Sequence, residues 1–96
     1  MTKLTLISNQ NQPLQPVVET ALANELRLLE AGIQQAEQRL KEFEQTYHMT
    51  TEDFITQYEN DALEETLEFA EWIGEHRVLT RLQDKATTIR DIELAH

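Results

Sequence analysis

The chain has no cysteine. Disulfides, thiolate metal sites and a cysteine nucleophile are therefore excluded. Glycine and proline occur only twice each in 96 residues. So little turn material favours helices. Bases are scarce too, eight against eighteen acids, for a formal charge of −10. That balance opposes nonspecific binding to nucleic acid or anionic lipid, both of which are negative, and suits a cationic partner. Long apolar runs are missing. The N-terminus offers one lysine and the short run Leu4, Thr5, Leu6, Ile7. This is far short of a signal-peptide core or a membrane span, so a cytoplasmic location and no membrane contact are expected.

The usual catalytic apparatus is also thin. Ser8 is the only serine, and it stands beside a polar, proline-containing stretch, a poor place for a serine triad. His48, His76 and His96 do not stand at metal-ligand spacing, and there is no His-Glu-x-x-His or glycine-rich phosphate loop. No catalytic residue, no metal ligand and no cofactor is expected.

What the chain does have is one block, Glu42 to His76. It holds eleven of the eighteen acids, all six aromatics, and no lysine or arginine. A stretch both acidic and aromatic is neither a disordered acidic tail nor an ordinary solvated face. It reads as a folded tip able to dock a basic partner.

Along the chain, residues 1–16 read as a possible short N-terminal strand at Lys3 to Ile7, then a polar linker. Residues 17–96 read as the helical domain. From Val17 the apolar positions Leu22, Leu26, Leu29, Ile33, Ala36, Leu40, Phe43 and Tyr47 recur at spacings of 4 and 3 in strict alternation. That heptad seam marks a helix packed lengthwise against another. Leu22, Leu26, Leu29, Ile33, Leu40 and Phe43 are the expected oligomer seam. Gly32 beside it would let a neighbour approach closely. The helix breaks at His48-Met49-Thr50. Thr50 suits the cap of a short helix, with Asp53 three residues on and Met49 and Phe54 placed for a hydrophobic staple. Asp61 with Glu64 reads as a second cap pair, opening a long helix from Ala62 to about Arg90. The expected fold is all-α, an antiparallel, coiled-coil-like hairpin of two long helices with a short connecting helix at the bend. A two-helix hairpin buries little, so a homodimer or hetero-oligomer is expected.

Glu64, Glu68, Glu71 and Glu75 fall at i, i+4, i+7 and i+11, one face of the expected second long helix. Like charges at that spacing repel by about 0.2–0.5 kcal/mol per pair. A solvated acidic surface explains them, and so does docking of a basic protein. Metal binding of the kind found in all-α nucleotide hydrolases is a weaker third reading, because Glu68-x-x-Glu71 has no good second acidic pair to complete it. Trp72, with Phe69 or Tyr58, is the expected partner anchor, since tryptophan is over-represented at hot spots. Trp72 would serve equally to seal the core. Arg77, Arg81 and Lys85 form the only basic stripe, read as charge balance near a helix C-terminal half. Three charges release few counterions, so direct contact with nucleic acid is not expected.

Four phrases carry a resemblance: Leu29-Glu30-Ala31-Gly32-Ile33, Arg39-Leu40-Lys41-Glu42-Phe43-Glu44, Tyr47 through Phe54, and Glu68-Phe69-Ala70-Glu71-Trp72-Ile73. Together they resemble a family of small, acidic, all-helical prokaryotic proteins, over roughly residues 20–85. Its members look like the antitoxin half of a toxin–antitoxin pair. The resemblance implies binding and neutralising a small basic toxin, one that acts on RNA. A clear helix-turn-helix or arginine-rich head is missing from this chain, which departs from many antitoxins. The reading is thus a non-enzymatic protein-binding module. A self-assembling coiled-coil scaffold is the alternative.

Overall fold

Three helices make up the fold of this computed structural model, which describes residues 14–94. They are α1, Leu14–Tyr47, α2, Thr51–Glu59, and α3, Leu67–Leu94. The strand expected at Lys3 to Ile7 lies outside the described residues. Helix α1 already includes Leu14, so Pro16 sits in its first turn rather than before it. A proline is tolerated there because the first N–H groups of a helix have no intrahelical acceptor.

Helices α1 and α3 pack lengthwise and antiparallel. Arg90 pairs with Glu30 at 3.0 Å and Arg39 with Glu75 at 3.4 Å. The Tyr47 hydroxyl donates to Glu68. Numbers rise on one helix as they fall on the other. The resulting rod measures 61 × 22 × 20 Å.

The heptad stripe therefore has its partner within the chain. Leu29 and Leu40 are buried, as is Ala36 between them, while Leu22, Leu26, Ile33 and Phe43 are half-buried. These residues, expected as an oligomer seam, pack along α3 of the same chain. A repeat of 3.5 demands a facing helix but does not say from which chain it comes. At Gly32 an added Cβ would lie 3.1 Å from Cδ1 of Leu82, so the close neighbour there is a leucine side chain of α3.

Both helix ends at the bend close in the same way. His48 follows Tyr47 with φ 54°, and the Met49 N–H bonds to the Glu44 carbonyl. Asp61 follows Asn60 with φ 53°, and the Ala62 N–H bonds to the Gln57 carbonyl. These are Schellman closures with a non-glycine residue in the left-handed position. Asp61 thus terminates α2 and does not open α3. The cap of α3 is Thr66, whose hydroxyl accepts from the Phe69 N–H at 3.1 Å. The long helix starts at Leu67, five residues later than expected from Ala62. Thr50 caps α2 as expected, accepting from the Asp53 N–H at 3.1 Å.

The core sits at the bend. Trp72 from α3 and Phe54 from α2 are both 0% exposed and stack at 3.9 Å, 3° from parallel. Phe43 from α1 also stacks on the indole, at 5.4 Å. One aromatic from each helix therefore joins the three. Tyr47, Met49, Ile55, Tyr58, Leu63, Phe69, Ile73 and Leu79 surround them. A polar chain runs through this core. Trp72 Nε1–H donates to Thr51 Oγ1 at 3.1 Å, and the Thr51 hydroxyl donates to Glu44 at 2.8 Å. Glu44 also accepts the Thr51 backbone N–H at 2.8 Å, holding the first turn of α2 against α1.

Candidate functional site

Four of the acidic residues of the bend block, Glu42, Glu68, Glu71 and Glu75, line a groove of about 760 Å³ between α1 and α3. Helix α1 contributes Glu42, Phe43, Thr46 and Arg39, and α3 contributes Glu68, Glu71, Gly74, Glu75 and Val78. Position along each helix explains the set. The antiparallel register brings the turn containing Glu42 beside the turn containing Glu71 and Glu75.

Phe43, Gly74 and Val78 form an apolar strip, and four carboxylates line it. Arg39 is the one base lining the groove, and Glu75 engages it at 3.4 Å. Glu68 accepts from the Tyr47 hydroxyl. That hydrogen bond, with burial and the nearby negative charge, raises the Tyr47 phenol above its ordinary value of 10.0. Glu42 and Glu71 are exposed and make no ion pair among the described residues. The site thus offers uncompensated negative charge beside an apolar floor. Lysine and arginine match it, because each lays an aliphatic stem on apolar surface and keeps its charged head among acceptors. Among the described residues no group of three or more His, Asp or Glu side chains is placed to hold a metal ion. No described helix is long and apolar enough to cross a membrane.

No family model matches the chain, and neither a curated protein nor a solved structure shows significant similarity to it.

The expected site residues are only partly brought together. Glu68, Glu71 and Glu75 share the groove. Glu64 is exposed in the connection before α3 and so does not share a helix face with the other three. Tyr58 and Phe69 are half-buried against the aromatic cluster, and the Tyr58 hydroxyl donates to Glu65 at 3.3 Å. Trp72, expected as a partner anchor or equally as a seal of the core, takes the second place: it is fully buried with its N–H satisfied by Thr51. An indole so enclosed cannot touch a partner without unfolding the bend. Glu42, Phe43 as groove floor, Gly74 and Val78 were not apparent as site residues. The i, i+4 spacing within α3 is silent about α1, and only the hairpin register reveals Glu42 as a neighbour of Glu71.

Proposed function

We propose that this protein is a non-enzymatic binding module that docks a small basic protein, in the manner of an antitoxin neutralising its toxin. The observation that carries the reading is the groove itself: Glu42, Glu68, Glu71 and Glu75 around an apolar strip of Phe43 and Val78, with a single base. Such a field speeds encounter with a cationic surface and repels nucleic acid. A protein that acts on RNA carries the positive surface that RNA requires, and a carboxylate-lined groove competes for it. The resemblance of the Glu42 and Glu68–Trp72 phrases to antitoxin-like proteins supports the same partner class, and a cytoplasmic setting goes with it. The coiled-coil scaffold reading draws on the heptad stripe, whose packing against α3 of its own chain leaves Leu22, Leu26, Ile33 and Phe43 half-buried.

The test is purification of the tagged protein from its native host at low salt, beside the variant Glu42→Lys with Glu71→Lys. Both sites are exposed, so the variant keeps the fold. The expected result is one small basic protein in stoichiometric amount, released as salt rises and absent from the variant. Recovery of the wild-type chain without such a protein, or equal capture by the variant, overturns the reading.

A further inference from the structure

The face that carries the acidic groove continues past it along α3. Beyond Val78 come Arg81 and Lys85, both exposed, which line a second groove with Leu29, Glu25 and Ile89. Helix α2 packs at the bend on the other side of the hairpin, where Thr51 and Glu52 line a separate groove with Leu40, His76 and Leu79. The groove face has no third layer among the described residues. Along α3 the charge changes sign, acidic at Glu71 and Glu75 and basic at Arg81 and Lys85, while Glu25 and Asp84 also line the second groove. Val78, a large apolar residue 40% exposed, stands between the two signs.

Gly74 adds a separate observation. Glycine within a helix costs about 0.5–1 kcal/mol relative to alanine. A Cβ at Gly74 would meet nothing within 4 Å, so packing inside the chain does not require the glycine. It bares the α3 backbone on this face, where another helix would gain from close approach.

We propose that this face binds a second copy of the chain, α3 against α3, antiparallel, with the two-fold axis at Val78. The numbers decide the geometry. Glu71 stands seven residues before Val78 and Lys85 seven after, while Glu75 stands three before and Arg81 three after. Reversing one helix about Val78 sets Glu71 opposite Lys85 of the second copy and Glu75 opposite its Arg81. Symmetry repeats each pairing. Glu75 already pairs with Arg39 at 3.4 Å and its side chain is 18% exposed, so the Glu71–Lys85 pairing is the more open of the two. A parallel arrangement would set Glu71 on Glu71 and Lys85 on Lys85, so the charge pattern selects the antiparallel one. The stripe from Glu71 to Lys85 spans about 21 Å at the helical rise of 1.5 Å per residue. The dimer does not depend on the basic-partner reading, but it gives that reading a regulation. A basic protein engaging Glu71 displaces the second copy, so the dimer covers the groove until a partner arrives.

The experiment is sedimentation equilibrium on purified wild type, Glu71→Lys, Lys85→Glu, and an equimolar mixture of the two variants. Both positions are exposed, and circular dichroism confirms that each variant is folded. The wild type is expected to dimerise. Each variant alone sets like charges opposite twice per dimer and weakens self-association roughly tenfold or more. In the mixture every pairing is again of opposite sign, so a one-to-one heterodimer of wild-type affinity is expected. A wild type that stays monomeric to millimolar concentration overturns the proposal. So do variants that self-associate like wild type, or a mixture that associates no better than its components. None of these outcomes involves a partner protein, so they are separate from failure of the purification test.

Discussion

The two ends of the hairpin are made from one heptad pattern and held by different means. At the bend, three helices each contribute an aromatic ring to a buried stack, and Thr51 links Trp72 to Glu44 through the middle of it. Toward the open end the described residues form two layers. Leu29 and Ala86 are buried, but Leu22, Leu26, Leu82 and Ile89 remain half-buried, and the Arg90–Glu30 pair is about half exposed on both sides. Exposed pairs of that kind contribute about 0–1 kcal/mol. The comparison teaches where a strongly charged site can be carried. Eleven acids in Glu42–His76 repel one another, and the same stretch holds the largest fully buried side chains of the described residues, Trp72 and Phe54.

Removing the stack should break the comparison most completely. Trp72→Ala is expected to cost about 3–5 kcal/mol, against about 2 kcal/mol for Leu29→Ala in the open half, read from urea unfolding midpoints. Equal losses would mean that the bend is not the stronger end. Thr51→Val keeps the shape but strands the indole N–H and removes one bond to Glu44. A loss of about 1–3 kcal/mol is expected, visible in the same titration. His48→Gly should act in the opposite direction, stabilising by up to about 1 kcal/mol, because φ 54° suits glycine better than histidine. A destabilised glycine variant would show that the imidazole makes a contact worth more than the backbone strain. The smallest effect is an alkaline one. The raised Tyr47 phenol binds its proton more tightly folded than unfolded, so its contribution is complete below pH 10.0 and fades as pH rises through the folded value. Tyr47→Phe should remove that alkaline decline, which thermal melts between pH 9 and about pH 11 would follow.

Much of this architecture is legible in the residues. The alternation of 4 and 3 from Leu22 to Tyr47 identifies a long packed helix, and Thr50 with Asp53 marks the start of α2. Other features depend on tertiary context. Asp61 and Glu64 have the spacing of a cap pair, yet Asp61 is equally suited to the left-handed position that ends a helix, and it takes that one. Trp72 lies in an acidic stretch that resembles an exposed interface. Its burial follows from Phe43 and Phe54, which are remote in sequence and converge only when the hairpin closes. The acidic site divides in the same manner. Glu68, Glu71 and Glu75 are visible as a local repeat, whereas Glu42 and Arg39 come from α1 and need the register to be found.

Native-state hydrogen exchange on the isolated protein tests most directly whether the bend is the framework that carries the acidic face. Amides of residues 54–58 and 70–76 are expected to exchange only with global unfolding, while those of residues 18–28 and 86–92 open at lower free energy. Uniform protection along both long helices, or a bend that opens before the far end, would contradict the account.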